Sequence, residues 1–193
     1  MNHSYNTDPH NRQKVLQALL DRTPEEGIFR LPQGICSFSP ENSTDFSLSL
    51  SNSDAAPQLH AGLFLKSRRN LILDGRDTSL LCHGQMIAMA LLDCQNITLQ
   101  NFTIDWDIPL TAEGTVIFSC NEYMDLKIDA QKFPFHIEDG QLWFDGGDWS
   151  QKLHCWGHTE FDPKTDLLAR NRGDRFPPTR QDLLPDGNIR FRG

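Results

Sequence analysis

Two carboxylates flank one tryptophan in the stretch "IDWDIP": Asp105 and Asp107, around Trp106. In a strand, residues i and i+2 point to the same face, about 6.5–7 Å apart. An inverting glycosidase holds its acid and base carboxyl groups about 6.5–9.5 Å apart, which leaves room for the attacking water. Trp106 would then turn the other way, into a core where Leu80 stacks on it. The competing reading is structural, because Asp pairs at strand ends commonly form turns and face water. A second polar group, His83-Gly84-Gln85, ends another apolar run. Imidazole can donate to a sugar hydroxyl, and an amide can donate and accept; a turn histidine satisfied by backbone is the alternative.

Other chemistry-bearing residues carry less. His154, Cys155 and His158 supply three metal-ligand types, but a zinc site needs four, and no Cys/His pair completes the set. The reading therefore expects no metal and no cofactor. Trp143, Trp149 and Trp156 could stack on sugar faces, yet their spacing fits the core of a small β module better. Arg68-Arg69 reads as a solvated turn. The sequons at Asn42, Asn96 and Asn101 carry little weight, since two of them fall inside expected strands.

The chain has 193 residues, a hydrophobic fraction of 38% and a net charge of -8. Nucleic acid is disfavoured, because phosphate binding needs clustered Lys and Arg; an acidic surface suits a neutral ligand better. No apolar stretch approaches the ~20 residues of a membrane span. The opening "MNHSYNTDPHNRQ" lacks the apolar core of a leader, which leaves open both a cytoplasmic location and a leader outside this sequence. Five widely spaced cysteines (Cys36, Cys82, Cys94, Cys120 and Cys155) do not form a disulfide framework and read as buried thiols.

The elements that must position these residues begin with a helix. Asp8 is a candidate N-cap, Pro9 a first helical residue, Val15, Leu16, Leu19 and Leu20 form one apolar face, and Thr23-Pro24 is a stop. Short strands follow at Ile28–Leu31 and Ile35–Phe38, around a Pro32-Gln33-Gly34 turn. The chain then repeats itself. "NLILDGRDTSLL" from Asn70 returns as "NITLQNFTIDW" from Asn96, an offset of 96 − 70 = 26. The same offset sets Gly62–Leu65 on Ala88–Leu91, and Leu80 on Trp106. A period of 20–50 residues marks a stacked array. About three strands per unit and no helix fit the coils of a right-handed parallel β-helix, with Asn70 and Asn96 stacked at one corner. The N-terminal helix would cap the open end of the first coil.

After Pro109 the strands lengthen and alternate. Glu138-Asp139-Gly140 separates Phe135–Ile137 from Leu142–Phe144, which is a hairpin signal. The expected organisation is all-β: residues 8–112 as capping helix and first coils, and 113–193 as an antiparallel module with a linker toward further coils. "RNRGDRFPPTRQDLLPDGN" reads as that linker, and "NIRFRG" as a terminal, unpaired strand.

The phrases "LSLSNSD", "NLILDGRDTSLLCHGQM", "LLDCQNITLQNFTIDWDIP" and "FPFHIEDGQLWFDGGDW" together resemble the N-terminal part of glycoside hydrolase family 110. The likeness runs from Gly27 to Thr165. It implies an exo-acting bacterial α-1,3-galactosidase on a right-handed parallel β-helix, interrupted by a β-barrel-like module. The partner would be a galactose-terminated glycan. The family keeps a His-Gly where this chain has His83-Gly84, and usually a His where it has Ser53. Its main catalytic carboxylates lie largely on later coils. The resulting expectation has Asp105 and Asp107 as catalytic candidates, and His83, Gln85 and Trp106 as substrate-binding neighbours. The 193-residue chain alone is expected to be inactive. The alternatives are a non-catalytic carbohydrate-binding β-helix and a structural fragment; a homo-oligomer is left open.

Overall fold

A computed structural model describes residues 9–47, 58–145, 153–154, 157–169 and 178–193. The candidate cap Asp8, as well as Ser53, Trp149, Cys155 and Trp156, lie outside the described residues. The chain is mostly strand and forms two compact units, Met1–Leu110 and Thr111–Gly193.

The first unit opens with helix α1 (Pro9–Arg22), followed by β1 (Ile28–Arg30), β2 (Ile35–Phe38), β3 (Thr44–Ser47), β4 (Gln58–Lys66), β5 (Arg69–Cys82), β6 (Ile87–Leu92) and β7 (Gln95–Trp106). The 26-residue echo is a ladder of parallel strands. β4 pairs with β6 through Leu63↔Met89 and Leu65↔Leu91, and β5 with β7 through Leu71↔Ile97 and Leu73↔Leu99. The inward leucines of β4 and β5 are fully buried. At the corner, Asn96 Nδ2 donates to Asn70 Oδ1 at 2.8 Å. Both residues have positive φ (50° and 54°), a conformation that asparagine tolerates better than most residues. The stacked-asparagine expectation is met.

The offset does not hold to the end of the strands. Between Asp74 and Thr78 the ladder shifts, so that beyond it Leu80 faces Ile104 and Cys82 faces Trp106. Leu80 therefore does not stack on Trp106, as a constant offset would require. The cause is local: Gly75, Arg76 and Asp77 on β5 occupy the space opposite Asn101 on β7. A Cβ at Gly75 would lie 2.4 Å from Asn101 O and 2.4 Å from Phe102 Cβ, so only glycine fits this approach. Asn101 Nδ2 closes the bulge on Asp74 Oδ1 at 3.0 Å.

A third layer was not visible as a repeat. β1 and β2 both lie parallel on β5, through Ile28↔Ile72 and Ile35↔Ser79. Helix α1 packs Leu16 and Leu20 into the core these layers share. It is also fixed by polar groups. Gln17 Oε1 accepts from Phe64 N–H at 2.9 Å, and its Nε2 donates to Phe64 O at 2.8 Å, reproducing the contact of a neighbouring strand. Buried Gln13 accepts from Ser39 N–H and donates to Ser43 Oγ. Arg68, read from sequence as solvated, instead donates to Asp21 O and Thr23 O at the C-terminal end of α1, where a cation meets the carbonyls the helix leaves unpaired.

The second unit contains β8 (Gly114–Ser119), β9 (Tyr123–Ile128), β10 (Phe135–Glu138), β11 (Gln141–Phe144), β12 (Leu153–His154), β13 (Phe161–Asp162), β14 (Leu167–Leu168), β15 (Arg180–Leu183) and β16 (Ile189–Arg192). Among the described residues, its strands pair antiparallel. The expected hairpin is β10–β11, turned by Asp139 and Gly140, both with positive φ. β16 is not an unpaired end: it sits between β15 and β9 and buries Ile189 and Phe191. Part of the expected linker is strand β15, whose buried Gln181 accepts from Leu142 N–H at 2.9 Å. Trp143, expected in the core, is half-buried, because strand alternation gives the inward positions of β11 to Leu142 and Phe144. Cys120, expected buried, is exposed just past β8, an edge strand exposed along its whole length.

Candidate functional site

The polar residues singled out around His83 and Asp107 meet where β5 and β7 end together. The backbone ladder continues past the strands: His83 N–H donates to Phe38 O at 2.8 Å, and Asp107 N–H to Cys82 O at 3.2 Å. Three layers thus stop at one corner, and the ladder sets His83 beside Asp107. His83 Nδ1 donates to Asp107 Oδ2 at 2.7 Å, and both side chains are about one-third exposed. The bond fixes the ring and leaves Nε2 as its outward hydrogen-bonding atom. Asp107 Oδ1 accepts from Ile108 N–H at 2.8 Å, so both carboxylate oxygens are engaged.

Trp106 rests against the core, and its Nε1 donates to Gly84 O at 3.2 Å. It thereby holds the His83-Gly84-Gln85 turn in place. Gly84 is buried with φ of 91°, and Gln85 is exposed beside it. Asp105 is the exposed partner of Leu81 on the ladder; its Oδ1 accepts from Trp106 N–H at 2.8 Å. Its Oδ2 has no partner among the described residues. Beneath the corner, burial pushes the Cys82 thiol up to about 12, and the nearby Asp107 charge adds to this. Cys82 is thus a packing residue with no thiolate to offer at neutral pH.

Sequence reasoning missed a second histidine–carboxylate pair. His60 on β4 lies opposite Asp45 on β3, with Nδ1 2.7 Å from Asp45 Oδ1, and Gln58 Nε2 donates to Asp45 Oδ2 at 3.1 Å. No local motif marks this pair, because antiparallel pairing across 15 residues creates it. Among the described residues, no group of three or more His, Cys, Asp or Glu could hold a metal ion. His158 lies 3.6 Å from Glu160 and stacks on Phe191, while His154's side chain is outside the described set.

The comparisons with known proteins bear on both units. Residues 112–193 match the family model of GLAA-B beta-barrel domain I. Alpha-1,3-galactosidase B of Bacteroides thetaiotaomicron is 41% identical over 64% of this chain and 20% of its own length. Alpha-1,3-galactosidase A of Shewanella woodyi is 32% identical over 65% of this chain and 21% of its own. Alpha-1,3-galactosidase B of Bacteroides fragilis is 29% identical over 82% of this chain and 27% of its own. The chain spans about a fifth to a quarter of the length of these relatives. No helix among the described residues is long and apolar enough to cross a membrane. With the resemblance read from its own phrases and these matches together, the chain is a sequence relative of proteins named alpha-1,3-galactosidases, and its residues 112–193 match the family model of GLAA-B beta-barrel domain I.

Proposed function

We propose that this chain is the N-terminal portion of an inverting α-1,3-galactosidase-like glycoside hydrolase acting on galactose-terminated glycans. Its first unit would be the capped opening coils of a right-handed parallel β-helix. The kinship with relatives named alpha-1,3-galactosidases carries this reading. Parallel pairing of β1 and β2 with β5, of β5 with β7 and of β4 with β6 supports it.

Within that reading, the corner contacts the sugar. His83 Nε2 and Gln85 address galactose hydroxyls, and Trp106 keeps their turn in place. Asp107 chiefly orients His83, because both of its oxygens are engaged. Asp105, with one oxygen uncommitted, is the better candidate for acid–base work in this chain. Inversion needs a second carboxyl group about 6.5–9.5 Å away. The relatives' remaining length supports a source for it outside this segment. The reading therefore assigns the chain alone little or no hydrolysis, since proton transfer counts only when the sugar is held between both groups.

A chimera provides the test. The matched segment of the Bacteroides thetaiotaomicron relative is replaced by this chain, and both chimera and chain are assayed on an α-1,3-linked galactose disaccharide. The expected result is β-galactose released by the chimera, seen by anomeric proton NMR, and negligible turnover by the chain alone. A folded chimera that releases α-galactose, or none, would overturn the reading. Efficient turnover by the chain would overturn the placement of the second carboxyl group.

A further inference from the structure

A cavity of about 260 Å³ lies in the first unit between helix α1 and strand β1, away from the His83–Asp107 corner. Its wall is apolar, formed by Leu16, Phe29 and Leu31 among others, and three arginines line it: Arg12, Arg30 and Arg76. Three arginines along one cavity are unexpected in a chain with net charge -8. An anion entering the cavity would be attracted by these cations, most strongly where the apolar wall keeps water away. Among the described residues, none of the three has a carboxylate within ion-pair distance. Asp74, the ladder partner of Arg30, is the nearest acid by register; its charge is felt by Arg30 beyond ion-pair distance, while its Oδ1 accepts from Asn101 Nδ2 and from Arg76 N–H.

We infer that this cavity is a binding site for a small amphipathic organic anion, a carboxylate on an aromatic or short alkyl body. The volume is consistent with that size: a dry cavity of about 150 Å³ holds benzene, so about 260 Å³ takes one ring with a short tail. The apolar wall favours a ligand with an apolar body, because a free sugar or inorganic phosphate would gain nothing from Leu16 and Phe29. The cations fix the end that carries the charge, and guanidinium suits a carboxylate through paired N–H donors. The residues that make the site come from three places in the sequence. Arg12 is on the capping helix, Arg30 is on the layer stacked on β5, and Arg76 sits at the bulge, where positive φ turns it out of the ladder.

Calorimetric titration of the 193-residue chain tests this with three probes: 4-phenylbutyrate, its neutral analogue 4-phenylbutanol, and acetate. The expected result is one saturable site for phenylbutyrate. The alcohol and acetate should each bind roughly tenfold more weakly or worse, one lacking the charge and the other the body. Arg30→Ala and Arg76→Ala remove exposed side chains and should each weaken phenylbutyrate by roughly threefold or more, with an unchanged circular dichroism spectrum. Raising the salt should narrow the gap between acid and alcohol. Methyl NMR should place the shifts at Leu16 and Leu31. Equal binding of acid and alcohol, unchanged affinity in both arginine variants, shifts centred elsewhere, or no saturation by phenylbutyrate would each overturn the inference. None of these readouts depends on galactose release, so failure here and failure of the galactosidase reading are separate results.

Discussion

His83 donates to Asp107 across 2.7 Å, from one layer of the parallel stack to the next, 24 residues along the chain. The offset is that of the ladder beyond the bulge, so the pair exists because the bulge does. If Asp107 acts by orienting His83, the two side chains work as one unit. In the chimera, Asp107→Asn should lower kcat/KM by about 10- to 100-fold, the worth of a charge-assisted hydrogen bond. His83→Ala should cost at least as much. The double variant should be no worse than the weaker single one, because coupled residues are not additive. Additive losses would show that Asp107 acts independently, as a catalytic carboxylate in its own right.

The glutamine pair on α1 makes a stability prediction. Gln17→Leu keeps the size of the side chain but strips both partners from the backbone of Phe64. An unsatisfied, partly buried amide costs about 1–3 kcal/mol. The melting temperature of the chain should fall by several degrees, whereas Lys14→Ala, at an exposed position on the same helix, should leave it within a degree or so. Equal melting of both variants would show that the apolar face alone holds the helix.

Acid should weaken the second unit through Asp125. Arg190 grips both its carboxylate oxygens, at 2.7 and 2.8 Å, and this hydrogen bonding holds Asp125 below the usual carboxylate range. A folded value below the unfolded one, about 3.9, gives stability that is complete above that value. It is lost as the pH falls through the folded value. Asp182, held low by Arg180 and Arg192, adds to the same trend. Denaturant midpoints measured from pH 7 downward should therefore decline below about pH 4. Asp125→Asn should lower the midpoint at pH 7 and flatten the decline. A variant with the same acid slope as the parent would remove Asp125 from this account.

The cysteines should separate by exposure. Cys120 should react at once with a thiol reagent under native conditions, and Cys94, half-buried and donating to Leu65 O, more slowly. Cys36 and Cys82 are buried, and burial raises both thiols, so they should label only on unfolding. Mass spectrometry of peptides from timed labelling reads each site. Fast labelling of Cys82 in folded protein would mean that the corner above it opens.

Local pattern determined much of this protein. The asparagine echo fixed the parallel register from Arg69 to Asp74, because identical turn chemistry recurs where layers stack. Alternation and the Asp139-Gly140 turn fixed the β10–β11 hairpin, and helical spacing put Leu16 and Leu20 inward. His83, Asp105 and Asp107 were legible as residues able to do chemistry, and the family likeness was legible in whole phrases. Only the tertiary structure decided which of them meet. A bulge two residues deep is silent in composition, yet it moved Trp106 from Leu80 to Cys82 and brought Asp107 to His83. The third layer escaped the repeat because the chain reaches β5 from β1 across a different interval. Polar fastening was hidden for the same reason. Gln17 bonding to Phe64, His60 to Asp45, and Arg68 to the end of α1 are pairs 15 to 47 residues apart, and a sequence window cannot state a distance in space.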